Sequence, residues 1–382
     1  MSEHFDIAII GGGLTGVAAA RLAAEQGFKT VHFTPKMAKD FRTSALMMPT
    51  VEFMVHSGLL EVGHALGAAL RRIRIIDATD RLLRAPEALF DSKEIDQEAF
   101  GYNYPNNDLL DAFSKTKAEI THVEDMVSGI KEVENGYSIS AGKTKLSATM
   151  VVGADGKKSI VRQKLGFEST NTAFKQSALV VDVEFERPET ETSVEFHYEN
   201  GPFTLVPAGD NKINLVWLDQ HDVLADAQKL SPKQLAAELE AKSHRLFGHA
   251  KPKTKCFVFP LSNLAVPTVG KGSACLIGEA AHAFPPIGAQ GLNLGLRDVE
   301  DWLKSLEDLE TGFSPAQASA AAHKYNKLRD PDLRRTGGFV DGLFRSLLSD
   351  FLPAQMMRLG GLWALKSFKP LRKFAFNFGM GR

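Results

Sequence analysis

Residues 5–33 read FDIAIIGGGLTGVAAARLAAEQGFKTVHF. Phe5–Ile10 is a continuous apolar run, the mark of a strand buried on both faces of a parallel sheet. Gly11-Gly12-Gly13-Leu14-Thr15-Gly16 comes next, then an alanine-rich stretch, Gly27 as a helix stop, and a second apolar run at Thr30–Phe33. The whole is strand, turn, helix, strand. In such a unit Gly11 permits the tight turn, Gly13 lets a pyrophosphate lie against the backbone, and Gly16 lets helix pack on strand. A lone GxGxxG carries little weight, but set in this complete unit it points to dinucleotide binding through Gly11, Gly13, Leu14, Thr15 and Gly16. One position dissents. The second strand of such units usually ends in an acid that holds the adenosine ribose, and Thr34 stands there. A hydroxyl bonds more weakly than a carboxylate, so modest cofactor affinity is expected.

A second stretch, ACLIGEAAHAFPPIGAQGLNLGLRD at 274–298, opens as a short apolar strand and passes Gly278-Glu279 and a Pro285-Pro286 corner. It then runs through Gly288-Ala289-Gln290-Gly291 into a helix, read as the final long helix of the fold. Gly and Pro let backbone approach a flat ligand closely. A helix N-terminus offers unpaired N–H groups and a partial positive charge. That suits a ring that gains negative charge on reduction, such as a flavin. His282 in this stretch reads as a hydrogen-bonded structural residue.

Between these stretches, Asp40–Leu60 reads as a helix-like run opened by Arg42, which could reach a phosphate or flavin edge or simply pair with Asp40. Arg72–Arg84, with Ile73, Ile75, Leu82 and Leu83, alternates as a half-exposed hairpin. Phe100–Phe113 reads as a polar turn into a helix, with Asn106 or Asn107 serving a ligand or capping that helix. Asn135-Gly136 marks a hairpin. Gly153-Ala154-Asp155-Gly156 closes an apolar strand before a helix starting near Ser159, with Asp155 set to accept from ribityl hydroxyls and Gly153 and Gly156 clearing space. Four strand-like runs between Gln176 and Gln220 indicate an antiparallel second lobe, with a helix from Ser231 to about Arg245. That lobe forms a wall over the flavin, where Val206, Pro207, Val216 and Trp217 are candidates for an apolar pocket or for core.

Composition bounds the alternatives. The 382 residues are 44% hydrophobic, enough for a large core in two or three lobes. A formal net charge of -1 gives no argument for nucleic acid. Cys256 and Cys275 are the only cysteines and sit in apolar runs, which points away from disulfides and metal clusters and toward a reducing compartment. No signal peptide is expected before Phe5, and no apolar run is long enough to span a bilayer.

Gly11-x-Gly13-x-x-Gly16, Arg42-x-x-Ala45-Leu46, GADG at 153–156 and GEAAHAFPPIGAQGLNLGLRD at 278–298 together resemble the class A flavoprotein monooxygenases, and among them the UbiH-type hydroxylases of ubiquinone biosynthesis. The likeness extends to Tyr325-x-x-x-Arg329, Phe339–Phe344 and the closing 360–381 run. It implies an α/β fold: a Rossmann-like FAD-binding domain of the glutathione-reductase type (1–70, 100–170 and 266–345), an inserted antiparallel-sheet substrate domain (71–99 and 171–265), and a C-terminal helical segment (346–382). It implies FAD cradled by Gly11, Gly13 and Gly16, its middle met by Arg42 and Asn106, with Thr34 at the ribose and Asp155 near the Gly-Asp motif. Gly278, Glu279, Pro286 and the Gly291-Leu292-Asn293 amides would serve the ribityl chain and the isoalloxazine ring. Glu279 stands where many members carry Asp or Asn, and Gly288-Ala289 reverses the family's usual Ala-Gly.

The activity implied is hydroxylation of a polyprenylated phenol with O₂, using NAD(P)H as transient co-substrate and passing through a flavin C4a-hydroperoxide. No side chain is named as a catalytic nucleophile, and no metal is expected. Hydroxylation of a soluble aromatic, or a non-catalytic flavin-binding scaffold among other quinone-biosynthesis proteins, are the alternatives. Residues 351–382 hold six basic residues and no acid, interleaved with Leu362, Trp363, Leu365, Phe368, Leu371, Phe374, Phe376 and Phe378. They read either as resting on an anionic membrane, for a cytoplasmic protein on its inner face, or as a helix pair packed on the FAD domain.

Overall fold

The computed structural model describes residues 3–36, 39–61, 67–81, 84–348, 360–361, 363–365 and 367–379. Leu82, Leu83, Phe351, Arg358, Leu362, Lys366 and Arg382 lie outside the described residues, as do the side chains of Phe339 and Phe378.

The opening unit forms as read: β1 (His4–Ile10), α1 (Leu14–Glu25) and β2 (Thr30–Phe33). The first sheet adds β8 (Ile120–Val123), β9 (Val127–Val133), β10 (Gly136–Ala141), β11 (Thr144–Gly153), β18 (Gly270–Lys271) and β19 (Ala274–Leu276). Its central order is β18-β19-β11-β1-β2-β8, and β9–β10 is the Asn135-Gly136 hairpin hung from β11. The strands from β19 to β8 run parallel. Register matters most for function here. Ile10 pairs with Gly153 and Gly153 with Leu276, so three chain segments leave the sheet side by side at their carboxyl ends. In open parallel sheets that edge is where ligands sit.

A three-stranded sheet joins β3 (Thr43–Met47), β4 (Ala68–Leu70) and β7 (Gly101–Pro105). This corrects two expectations. The segment after Asp40 is not helical throughout, because Thr43–Met47 pairs antiparallel with Gly101–Pro105 and α2 starts only at Met48 (Met48–His56). The polar turn read before Asn106 is that partner strand, and α3 (Asn106–Phe113) follows it. Pairing across more than fifty residues outweighs local helical pattern.

The second large sheet runs β20-β17-β12-β15-β14-β13-β5-β6. Its members are β5 (Arg72–Asp77), β6 (Ala88–Asp91), β12 (Thr170–Phe185), β13 (Thr192–Tyr198), β14 (Gly201–Pro207), β15 (Lys212–Gln220), β17 (Phe257–Ala265) and β20 (His282–Ala283), with β16 (Ala250–Pro252) on β12. All neighbours are antiparallel except β13 and β5. Alternation divides this sheet. Leu179, Val181, Leu215 and Trp217 pack with Leu224 of α5 (His221–Ala227) and Leu235 and Leu239 of α6 (Pro232–Lys242). Ser231 caps α6, with Pro232 in the first turn, and forms a capping box with Gln234. The helix stops at Lys242, short of Arg245, where His244 and Arg245 take positive φ.

The opposite face carries Ala178, Leu218 and Leu261, which pack on Ile287 and Phe344. Val206 and Val216 share that face, whereas Trp217 and Pro207 point the other way. The four candidates for one pocket are therefore split two and two. The last elements are α4 (Ile160–Lys164), α7 (Gln290–Leu306), α8 (Pro315–Leu348) and α9 (Lys369–Gly379). The helix beginning at Gln290 is thus not the final long one, since α8 is twice its length.

Candidate cofactor and substrate site

The three turns at the sheet edge touch one another. The Ala154 amide donates to the Ile10 carbonyl at 2.7 Å, and the Ile277 amide to the Gly153 carbonyl at 2.9 Å. A Cβ on Gly11 would lie 2.1 Å from the Ala154 carbonyl oxygen, and one on Gly16 2.0 Å from the Gly11 carbonyl oxygen. Both positions are closed by packing. A Cβ on Gly13 would meet nothing within 4 Å, nor would one on Gly156 or Gly291. The glycine loop therefore has closed outer corners and an open middle. Gly153 does not clear space as expected: its Cβ would strike Val161 and Leu276, so it is a packing glycine. Gly278, at φ +57, lies against Thr15, as does Gly295 of α7, which brings the first and third turns into contact.

Both helices aimed at this edge begin bare. Gly13 stands at the N-cap of α1 and Ala289 at that of α7, neither helix having a side-chain cap bond or an acid in its first turn. With no capping side chain and no acid in the first turn, their positive dipole ends favour an anionic ligand. Gly291 is exposed and Leu292 half-buried in the first turn of α7. Asn293 is buried, and its side chain accepts from the Met47 amide at 2.8 Å and donates to the Ala45 carbonyl at 2.9 Å. It ties β3 to α7.

Arg42 and Asn106 form one polar group with Asp40. Arg42 donates twice to the Asp40 carboxylate at 2.8 Å, and Asn106 donates to it at 2.8 Å while accepting from Ser44 at 2.7 Å. Burial pushes the Asp40 carboxyl up, but hydrogen bonds from Arg42 and Asn106 hold it below the ordinary value. The hydrogen bond to Asp40 raises Arg42 further, with help from the charge of Glu279. The Arg42 guanidinium also lies 5.8 Å from the ring centroid of Phe259. Arg42 thus stands between the cofactor turns and the second sheet. Asn106 opens α3 rather than capping it, and the capping alternative falls away because Pro105 holds that place.

Asp155 is half committed. One carboxylate oxygen accepts from the Ile160 amide at 2.6 Å and the Val161 amide at 3.3 Å, while the other is buried with no partner among the described residues. Burial raises this carboxyl above its usual range despite those bonds. Glu279 and Pro286 are exposed, and Thr34 is half-exposed just past β2. His282 is the hydrogen-bonded structural residue expected, 2.6 Å from Asp298. Cys275 is buried in β19, and Cys256 lies half-buried just before β17. Among the described residues no cluster could hold a metal.

Two contributions were not anticipated from sequence. The first is His32 in β2, whose Nε2 donates to the Gly11 carbonyl at 2.9 Å and so fixes the first corner of the glycine loop. A histidine inside an otherwise apolar strand was the available signal. Burial lowers its pKa to about 4 against the Gly11 bond, helped by His122 5.6 Å away. Between pH 6.5 and 4 the unfolded chain therefore takes up a proton that the folded chain refuses, and stability falls as pH drops through that window. We expect about 3 kcal/mol of acid-dependent loss, visible as falling melting temperature across that range. His32→Asn should flatten the profile, and an unchanged slope in that variant would dismiss the assignment.

The second is the buried set centred on Asp298. One oxygen accepts from the Gly278 amide at 2.8 Å and from His282, and the other from Arg329 Nε at 2.8 Å. Arg329 also pairs with Asp301 and Asp332, and Tyr325, one turn earlier, donates to the Leu276 carbonyl at 2.8 Å. The Tyr325-x-x-x-Arg329 motif thus clamps α8 to the strand and turn that carry Gly278 and Glu279.

Comparison with known proteins places these features in context. A family model described as "FAD binding domain" matches residues 4–329. The chain is 28% identical to ubiquinone hydroxylase UbiL of Rhodospirillum rubrum, covering 98% of this chain and 89% of that protein. It is 26% identical to the 3-demethoxyubiquinol 3-hydroxylase of Escherichia coli, covering 100% and 99%. Among solved structures, Klebsiella pneumoniae HpxO complexed with FAD and uric acid superposes with a TM-score of 0.79 at 15% identity, covering 99% of this chain and 97% of that one.

Proposed function

The chain belongs to this FAD-binding-domain family, and from that premise we propose that it is an FAD-dependent aromatic monooxygenase acting on a polyprenylated phenol in ubiquinone biosynthesis, with NAD(P)H and O₂ as co-substrates. The observation that carries the reading is the convergence of three glycine-bearing turns and two bare helix N-termini beneath an apolar sheet face. The open middle of the glycine loop and the unpartnered oxygen of Asp155 fit a bound dinucleotide. When bound, FAD supplies the redox chemistry that joins a hydride donor to O₂.

The residues of this chain do the holding. We assign the pyrophosphate to the amides of Gly13, Leu14, Thr15 and Gly16, with Gly11 shaping the turn. Thr34 faces the ribose, Arg42 and Asn106 the middle of the cofactor, and Asp155 and Glu279 its hydroxyl-bearing chain. Gly278 and Pro286 shape the approach to the ring, and the Gly291, Leu292 and Asn293 amides stabilise negative charge that collects there. Val180, Thr204, Val206 and Val216 share the sheet face opposite and form the floor for an apolar substrate, excluding water from the ring. A substrate of this class lives in the bilayer, so the protein works as a peripheral membrane enzyme beside others of the same route. Among the described residues no helix is long and apolar enough to cross a membrane.

The test is direct. Purified, FAD-loaded protein with NADPH, air and a short-tailed polyprenylphenol should yield a product carrying one added oxygen by mass spectrometry. NADPH consumption that ignores every phenol offered would end the hydroxylase reading. Cofactor retention gives a separate check. Thr34→Glu restores the acid at the ribose and should tighten FAD binding about tenfold in a fluorescence titration, as a charge-assisted hydrogen bond replaces a neutral one. Equal or weaker binding would place the ribose elsewhere.

A further inference from the structure

Helix α9 has two apolar sides, and the surfaces they meet differ. Inward, Phe376 packs edge-on against Phe90 at 5.2 Å and, tilted, against Phe100 at 4.8 Å. With Leu365 it covers the cluster of Ala88, Phe90, Ile95 and Phe100, which also touches Met47, Ile73 and Ile75. The helix is pinned there by the buried Arg372, paired with Glu94, and by Lys373, 3.0 Å from Asp96. The surface it meets is the edge of the second sheet and its turn, together with Met47 of β3 and Phe100 just before β7. Pairing carries Phe90 and Ala88 through Ile73 and Ile75 to β13 and on to Thr204 and Val216, so the covered cluster and the substrate floor share one sheet face. Met47 belongs to both regions, since Asn293 of α7 holds its amide.

Outward, Trp363, Phe368, Leu371 and Phe374 are 57%, 54%, 43% and 67% exposed. Exposed large side chains in such number mark a surface that works against something apolar. Lys369 flanks them, and no acidic residue occurs from 351 to the end of the chain. Charge complementarity therefore selects an anionic bilayer, in which aromatic and leucine side chains enter the headgroup boundary while lysines meet lipid phosphate.

We propose that the outer side of α9 and the turn before it docks on an anionic lipid bilayer, and that its inner side is the apolar threshold between that bilayer and the substrate floor. This rests on the lipid-phenol reading, and its test needs no turnover. Trp217 and Trp302 are buried, so quenching by lipid reports on Trp363. Full-length protein mixed with vesicles of phosphatidylcholine and phosphatidylglycerol carrying brominated acyl chains should lose Trp363 fluorescence, whereas pure phosphatidylcholine vesicles should quench little. Phe368→Glu and Leu371→Glu should each lower the vesicle-bound fraction on the order of tenfold by removing buried apolar area, with far-UV spectrum and FAD content intact. Hydrogen exchange in residues 88–101 should quicken when vesicles bind, as Phe376 shifts on its cluster. Absence of quenching, binding indifferent to both variants, or a concentration-dependent dimer blocked by Leu371→Glu would each overturn the lipid assignment. Vesicle binding that leaves exchange at 88–101 untouched would overturn the threshold.

Discussion

Replacing Asp298 with alanine is expected to lower the melting temperature by on the order of 10 °C and to strip the protein of FAD. The carboxylate is fully buried and serves three partners on three elements: the Gly278 amide, His282 of β20 and Arg329 of α8. Burial alone would push this acid up, but His282 and Arg329 hold it below the ordinary value, so it is ionised across the working range. Removing it leaves a guanidinium 1% exposed with part of its charge uncompensated. Deleting one partner of a buried pair typically costs about 3–5 kcal/mol, much of the usual margin of about 5–15 kcal/mol. At roughly 2–4 °C per kcal/mol for a domain of some 150–250 residues, a shift of that order follows. The cofactor effect has a shorter path, because the freed Gly278 carries Glu279 and rests on Thr15 in the glycine loop. Asp298→Asn should recover part of the stability through its remaining oxygen but not the charge balance. The cluster itself resists acid. The charges of Arg297 and Arg329 hold Asp332 down to about 2 against its burial, so its contribution is complete above the ordinary carboxylate value and is lost as pH falls from there through about 2. Differential scanning of wild type and Asp298→Ala, with absorbance at the flavin band, checks both halves. A variant that melts like wild type and stays yellow would remove Asp298 from its central place.

What could be read in advance was local. The Gly11–Gly16 loop, the Gly153–Gly156 turn and the Gly278–Gly291 segment each announce themselves through residues adjacent in the chain, because backbone freedom and close approach are properties of single positions. That the three meet depends on the register of parallel strands, and the apolar runs of β1, β11 and β19 made that alignment inferable. The strand at Thr43–Met47 escaped because its partner lies beyond a helix and another sheet, and its own residues suit either structure. The Asp298–Arg329 pair escaped for a related reason. It joins positions 31 residues apart on two helices, where each charge alone looks like an ordinary solvated side chain. His32 was missed because its role depends on a carbonyl, Gly11, that no side-chain pattern reveals. The destination of α9 turned on ion pairs to Glu94 and Asp96, nearly three hundred residues upstream.

The glycine loop yields the second large effect, and it separates holding the fold from holding the cofactor. Gly13→Val should leave folding nearly unchanged while weakening FAD binding by more than about a hundredfold. Gly13 has φ -74 and ψ 171, a conformation open to any L-residue, and a Cβ there meets no protein atom within 4 Å. Nothing in the folded chain resists a Cβ at this position. The added methyls would project into the space where a pyrophosphate must reach the first amides of α1, and losing two charge-assisted hydrogen bonds of about 1.5–3 kcal/mol each accounts for the expected factor. Gly16→Ala makes the opposite demand. Its Cβ would sit 2.0 Å from the Gly11 carbonyl oxygen, so α1 must move off the sheet before any ligand is considered. That variant should lose thermal stability with or without FAD, in the range of about 1–3 kcal/mol typical of overpacking. The pair is read by melting the apo-proteins first and titrating FAD afterwards. Wild-type melting with lost flavin affinity in Gly13→Val, beside lowered melting in Gly16→Ala, is the expected pattern. A Gly13→Val protein that binds FAD as tightly as wild type would show that the phosphates do not lie over the middle of this loop, and the placement of the cofactor along the sheet edge would fall with it.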